Sequence, residues 1–158
     1  MRRPKAFLAS LAAGAALAAC SVAPTEPATL YARLGGAAQV TLVVDRLIDR
    51  AAGDSRTRRS FDGVKLAPVK QSIVEQICSI ASGGCRYEGE TMERAHRDAK
   101  ITAAEFDALV TLLREELDRA AVETGAKNEL LRLLAPMKRD IVSRVSGING
   151  VGTSERSR

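Results

Sequence analysis

"ERAHRDAKIT", residues 93–102, holds the only histidine of the 158-residue chain. One imidazole forms neither a His-rich metal cage nor a relay between two histidines. Without context, a lone His is more often a surface or satisfied core residue than a ligand, so the role of His96 has to come from its surroundings. Those surroundings read as helices on both sides. Before it, Val69, Ile73, Ile77 and Ile80 recur at helical spacing behind Pro68, a residue suited to a first turn, and the pattern stops at Gly83-Gly84. After it, Thr102-Ala103-Ala104-Glu105 has the form of a capping box and opens a helix striped by Phe106, Leu109, Val110, Leu113 and Leu117. Farther out, Val40, Val43, Val44, Leu47 and Ile48 mark a helix over about 38–52. Leu130, Leu131, Leu134, Met137, Ile141 and Val142 mark another from about residue 126, bent near Pro136. No segment alternates as a strand does. The class is all-α, with residues 85–101 a loop holding at most a turn or two of helix, and His96 inside it.

The chain opens MRRPKAFLASLAAGAALAAC, with Arg2, Arg3 and Lys5 ahead of an apolar run from Ala6 to Ala19. A basic front before a run too short to span a bilayer comfortably is the pattern of an export signal. Its end, Leu17-Ala18-Ala19-Cys20, resembles the lipobox of bacterial lipoproteins, which implies cleavage after residue 19 and a lipid on Cys20. The alternative is an uncleaved membrane anchor. On the first reading residues 1–19 are a signal peptide, 20–28 a lipidated cysteine and flexible linker, 29–145 one domain, and 146–158, Gly/Ser-rich and charged, a disordered tail. The net charge of +5 contains three positive charges from the signal, so the mature chain is only weakly basic and nucleic acid is not its partner. The expected location is the cell envelope, lipid-anchored and facing the periplasm, with the membrane a partner through Cys20.

With Cys20 committed to lipid, Cys78 and Cys85 remain as a pair in an oxidising compartment, one near the end of a helix and the other just past a Gly-Gly break. A disulfide is expected there, two free thiols being the alternative. Past the signal the only aromatics are Tyr31, Phe61, Tyr87 and Phe106. Leu, Ile, Val and Ala can pack four helices unaided, yet a large flat apolar cofactor would add buried area that aromatics normally supply.

Several separated motifs fall in one order: Leu30-Tyr31-Ala32-Arg33-Leu34-Gly35-Gly36, Phe61-Asp62-Gly63, Gly83-Gly84, Tyr87-Glu88-Gly89 and Met92-Glu93-Arg94-Ala95-His96. The sequence resembles a group 1 truncated haemoglobin from about residue 29 to 142. That resemblance implies a truncated globin fold, a two-over-two helical sandwich around haem b (iron protoporphyrin). It implies His96 as the proximal metal ligand, Phe61 stacked on the porphyrin, and Met92, Ile101 and Phe106 on the proximal side. One neutral imidazole with the opposite position open is what a globin-type iron requires. No Cys-x-x-Cys-His occurs, so c-type attachment is excluded.

Where such proteins often carry distal hydrogen-bonding side chains, the matched positions here are Ile48, Val69 and Ile73, and Leu47 adjoins them. Val69 and Ile73, four apart, share one helical face. An apolar distal pocket withholds the roughly 1–3 kcal/mol that a charged or strongly polar partner adds to a hydrogen bond, so oxygen is expected to be retained less well relative to carbon monoxide or nitric oxide. A donor swinging in from Gln76 or Lys70 is the alternative. Lys70, Arg97 and Lys100 are candidates to pair with haem propionates, or are simply solvated; Asp98 and Lys100 also stand where relatives often have glycine. The function expected is a diatomic-gas-binding haem protein, acting as carrier, scavenger or sensor. The alternatives are a haem-free helical interaction module, or a nitric oxide dioxygenase or peroxidase, of which the dioxygenase needs long oxygen retention and an electron donor.

Overall fold

A computed structural model describes residues 28–142. The expected signal, the lipidated Cys20 and the tail after 145 lie outside the described residues. Within them the structure is built from helices and connecting turns, with no strand. In chain order these are α1 (Leu30–Arg33), α2 (Gly36–Gly53), α3 (Leu66–Ile80), α4 (Met92–His96), α5 (Ala103–Arg119), α6 (Thr124–Leu134) and α7 (Lys138–Ile141). Single 3-10 turns at Arg58–Phe61 and Ala135–Met137 join α2 to α3 and α6 to α7. Pro136 sits in the second of these, where its missing N–H ends one helix and starts the next.

The helix starts follow from local chemistry. Thr29 accepts a hydrogen bond from Ala32 N at 3.2 Å, capping a short α1 that the periodicity alone did not announce. Gly35 then takes φ +93° at the head of α2, a left-handed conformation in which any Cβ would also meet the Gln39 side chain at 2.6 Å. Thr102 and Glu105 close a reciprocal capping box at the head of α5. In it Glu105 Oε2 accepts from Thr102 N at 2.8 Å and from Thr102 Oγ1 at 2.7 Å.

The core lies along α2, whose Val40, Val43, Val44, Leu47, Ile48 and Ala51 are all buried. It packs against α3 and α5, supplying one stripe to Ile77 on α3 and to Leu112, Leu113 and Leu117 on α5. Each fully buried Leu, Ile or Val stabilises the fold by about 1.5–3 kcal/mol over its exposed state. Glu116, only 1% exposed, is the one acidic side chain sunk into this layer so deeply; Arg50 and Arg119 pair with it. Gln39 Nε2 donates to Ala120 O at 2.8 Å and ties the start of α2 to the end of α5.

The end of α3 is built differently from the glycine stop read from the sequence. The first left-handed residue is Ser82, at φ +59°, with Gly84 following at φ +81°, and Gly83 N donates back to Cys78 O at 2.8 Å. Gly83 serves close approach instead: a Cβ there would lie 2.7 Å from both Cys78 Sγ and the Tyr31 ring. Tyr31 N donates to Ala81 O at 2.8 Å, so α1 is pinned to this corner. Cys78 and Cys85 are joined by a disulfide with Cα atoms 5.6 Å apart, linking α3 to the segment that leads into α4.

Candidate functional site

His96 is the last residue of α4, a five-residue helix capped by Thr91, whose side chain accepts from Arg94 N at 3.3 Å. Its ring nitrogen Nδ1 lies 2.7 Å from Met92 O, one turn back. A carbonyl only accepts, so Nδ1 carries a proton, and in the neutral ring the lone pair is on Nε2. A metal-binding imidazole is oriented in the same manner, its second nitrogen donating to a backbone carbonyl. Met92, four residues earlier on the same face, therefore contributes its carbonyl as well as its side chain.

The half-buried imidazole lines two adjoining apolar cavities of about 220 and 300 Å³. Both are also bounded by Val69 and Ile73 of α3, Phe106 and Leu109 of α5, and Ile141 of α7. Ile48, Phe61 and Ile101 complete the smaller, and Leu47, Met92, Val110, Leu134 and Met137 belong to the larger. Ile48 is fully buried and Leu47 4% exposed, so α2 forms the back of the space. By contrast Val69, Ile73, Phe106, Leu109 and Val110, which the spacing placed on core-facing stripes, are only half-buried. The side chains that should fill a core here line an open space of the size that small-molecule and cofactor pockets have.

A third cleft, of about 400 Å³, shares His96 and Ile141 with these cavities and is more polar: Arg97 and Arg139 line it with Glu93 and Asp140. Arg97 thus stays beside the imidazole, and Arg139, unmarked by any sequence motif, joins it from α7. Lys70 and Lys100 do not. Lys70 Nζ lies 2.8 Å from Asp49 and 3.6 Å from Asp45 on α2, and these carboxylates, Asp49 foremost, raise its pKa. As a candidate propionate partner or distal donor it is corrected on that ground. Lys100 lines none of the three cavities; it takes φ +49° with its carbonyl accepting from Arg59 Nη2 at 3.0 Å. A left-handed backbone at this position accounts physically for the glycine that relatives often carry there.

Glu105 faces the smaller cavity but is already occupied. Arg59 Nε donates to it at 2.8 Å, Ser60 Oγ lies 3.2 Å away, and Thr102 supplies the capping contacts. The Arg59 guanidinium, first among these partners, holds its carboxyl down to about 2. The α3 wall is not wholly apolar either: Ser72 and Gln76 line the larger cavity beside Val69 and Ile73, and Gln76 Oε1 is buried without a hydrogen-bond partner. Sequence reasoning named Gln76 only as an alternative donor. The available signal was its spacing, seven residues beyond Val69 and three beyond Ile73 on one helical face.

Among the described residues, no group of three or more His, Cys, Asp or Glu is arranged to hold a metal ion. A metal at His96 therefore needs most of its ligands from a group that brings its own. The apolar space, the orientation of His96 and the arginines of the adjoining polar cleft fit a flat apolar ring system that carries such ligands inside and anionic groups on its rim.

A family model described as Bacterial-like globin matches residues 29–143. A group 1 truncated hemoglobin of Mycolicibacterium paratuberculosis is 28% identical over 122 residues, covering 77% of this chain and 90% of its own length. The corresponding protein of Nostoc commune is 28% identical over 116 residues, 73% of this chain and 98% of that one. The crystal structure of the 2/2 hemoglobin from Synechococcus, in the cyanomet state with covalently attached heme, superposes with a TM-score of 0.69 at 28% identity, covering 74% of this chain and 100% of the other. Truncated hemoglobin from Tetrahymena pyriformis gives a TM-score of 0.70 at 20% identity with the same coverage, a likeness of fold alone. The architecture is thus the two-over-two helical sandwich, and with the family model spanning well over half of its length, the chain belongs to the bacterial-like globins.

Proposed function

We propose that this chain binds one haem b non-covalently through His96 and holds a diatomic gas, such as oxygen, nitric oxide or carbon monoxide, as a carrier, scavenger or sensor. The carrying observation is the His96–Met92 hydrogen bond of 2.7 Å, which fixes the ring tautomer and frees Nε2 at the edge of an apolar space that side chains leave open. When bound, the group supplies an iron with one position for a gas. The chain's own residues do the rest. Phe61 and Phe106 offer aromatic faces, Val69, Ile73, Leu47 and Ile48 exclude water, and Arg97, with Arg139 once it leaves Asp140, is the cation in the adjoining cleft for carboxylates on the ring system. The globin homology supports haem, and the name of the Synechococcus relative records heme in that protein.

The same proposal places the mature protein in the cell envelope, tethered by a lipid on Cys20 and facing the periplasm. Its supports are Arg2, Arg3 and Lys5 before the apolar run, the Leu17-Ala18-Ala19-Cys20 boundary, and a disulfide between Cys78 and Cys85, a bond that persists in oxidising compartments. The test is spectroscopic. Purified protein given haem is expected to show a Soret band that His96→Ala abolishes or shifts. A wild-type protein that takes up no haem, or a variant with the wild-type spectrum, refutes the assignment.

A further inference from the structure

We propose that Gln76 is the hydrogen-bond donor to the gas ligand, a specificity-determining residue one turn farther along α3 than the apolar pair Val69 and Ile73. This inference rests on haem binding at His96. Gln76 lines the larger cavity together with His96, and its Oε1 is buried with no hydrogen-bond partner. Gln76 as a whole is half-buried, but a buried acceptor without a partner is a net cost to the folded chain, and native structures rarely keep one without a compensating role. The amide presents an acceptor and two donors on one planar carbon, and half a rotation exchanges them. It can therefore turn a donor toward a ligand that carries partial negative charge. Three residues of helix separate it from Ile73, about 4.5 Å along the axis, which a glutamine side chain spans.

The other polar groups near the space have contacts of their own. Ser72 Oγ and Tyr87 Oη, both on the same cavity, lie 3.5 Å apart, and Tyr87 donates to Glu90 O at 3.2 Å. Lys70 is held by Asp49 and Asp45. Glu105 is occupied by Arg59, Ser60 and Thr102. Of the side chains on the larger cavity, Gln76 is the one with a buried polar atom left without a hydrogen-bond partner. The poor oxygen retention expected from Ile48, Val69 and Ile73 is then partly made good.

The experiment compares haem-loaded wild type with Gln76→Leu and Gln76→Glu. Loss of one hydrogen bond is expected to speed oxygen release by about three- to tenfold, with carbon monoxide release little changed. The stretching frequency of bound carbon monoxide is expected to rise in Gln76→Leu, because the donor that polarised it has gone. Without haem, Gln76→Leu should melt no lower than wild type, since it removes an unpartnered buried oxygen. A Soret band with unchanged oxygen release and carbon monoxide frequency in Gln76→Leu overturns this inference alone, as does a clearly lower melting temperature of its haem-free form. Absence of the Soret band from wild type overturns both this inference and the haem reading beneath it.

Discussion

Replacing Cys85 by Ser tests how the haem slot is held open. Cys78 is 2% exposed and Cys85 lies in solvent, so serine at 85 removes the cross-link and leaves the buried side untouched. The two residues are separated by 7 in sequence, and a ring of about eight residues restricts the unfolded chain by about 8 cal/mol/K, or about 2.5 kcal/mol near room temperature. For a domain of this size that corresponds to a melting temperature lower by about 8–12 °C. The cross-link joins the α3 wall to the segment entering α4, so the variant is also expected to release haem faster. The assay is thermal unfolding by circular dichroism, with and without reductant, on wild type and Cys85→Ser. Reductant should bring wild type down to the variant and leave the variant unmoved. If oxidised wild type and variant melt within about 2 °C of each other, or if reductant lowers both alike, the reasoning from ring closure is wrong.

Two further outcomes follow from particular contacts. Glu105 is held near pKa 2 in the fold, chiefly by Arg59, against an ordinary 4.5. A depressed carboxyl stabilises above its unfolded value and loses that contribution as pH falls toward its folded one, so stability should decline between about pH 4.5 and 2. Glu105→Gln should flatten that slope and lower stability at neutral pH by about 1–3 kcal/mol, read as denaturation midpoint against pH; an unchanged slope refutes it. Lys100→Gly should raise stability by about 0.5–1 kcal/mol, since relief of the left-handed backbone outweighs the entropy glycine adds to the unfolded chain. Urea denaturation checks it, and a less stable variant contradicts the φ of +49° as a source of strain.

Most helices were legible because each carries both a periodic apolar stripe and a chemical start. The capping box at Thr102 and Glu105, the stripe of α2 and the break at Pro136 each have a local cause written into adjacent residues. What was not legible depends on distant contacts. α1 is four residues long and owes its place to Thr29 and to Tyr31 N bonding Ala81 O, which no spacing rule anticipates. The turn after α3 puts left-handed backbone on Ser82 as well as Gly84, while Gly83 serves closeness to Tyr31 and Cys78. Of the site, Phe61, Met92, His96, Ile101, Phe106 and the four apolar residues opposite were named from the motif order and do line the cavities. Lys70, a candidate with solvation as its alternative, is paired on α2 with Asp45 and Asp49, partners that come from another helix and leave no local signal. Arg139 was invisible because α7 reaches the imidazole only in three dimensions.

The shortness of α4 has a consequence for how the molecule responds to its surroundings. Five residues with none buried, packed against four-residue α7, do not make a helix that persists alone. Whatever occupies the space beside His96 acts as a keystone: it completes the arch that presents its own ligand. Loading and local order are then one equilibrium, and stability climbs with the logarithm of cofactor concentration once that exceeds the dissociation constant. Amide exchange should be fastest across residues 92–101 in the empty protein and slow most there on loading, so supply of the cofactor itself sets how much of the chain stands ready to bind gas.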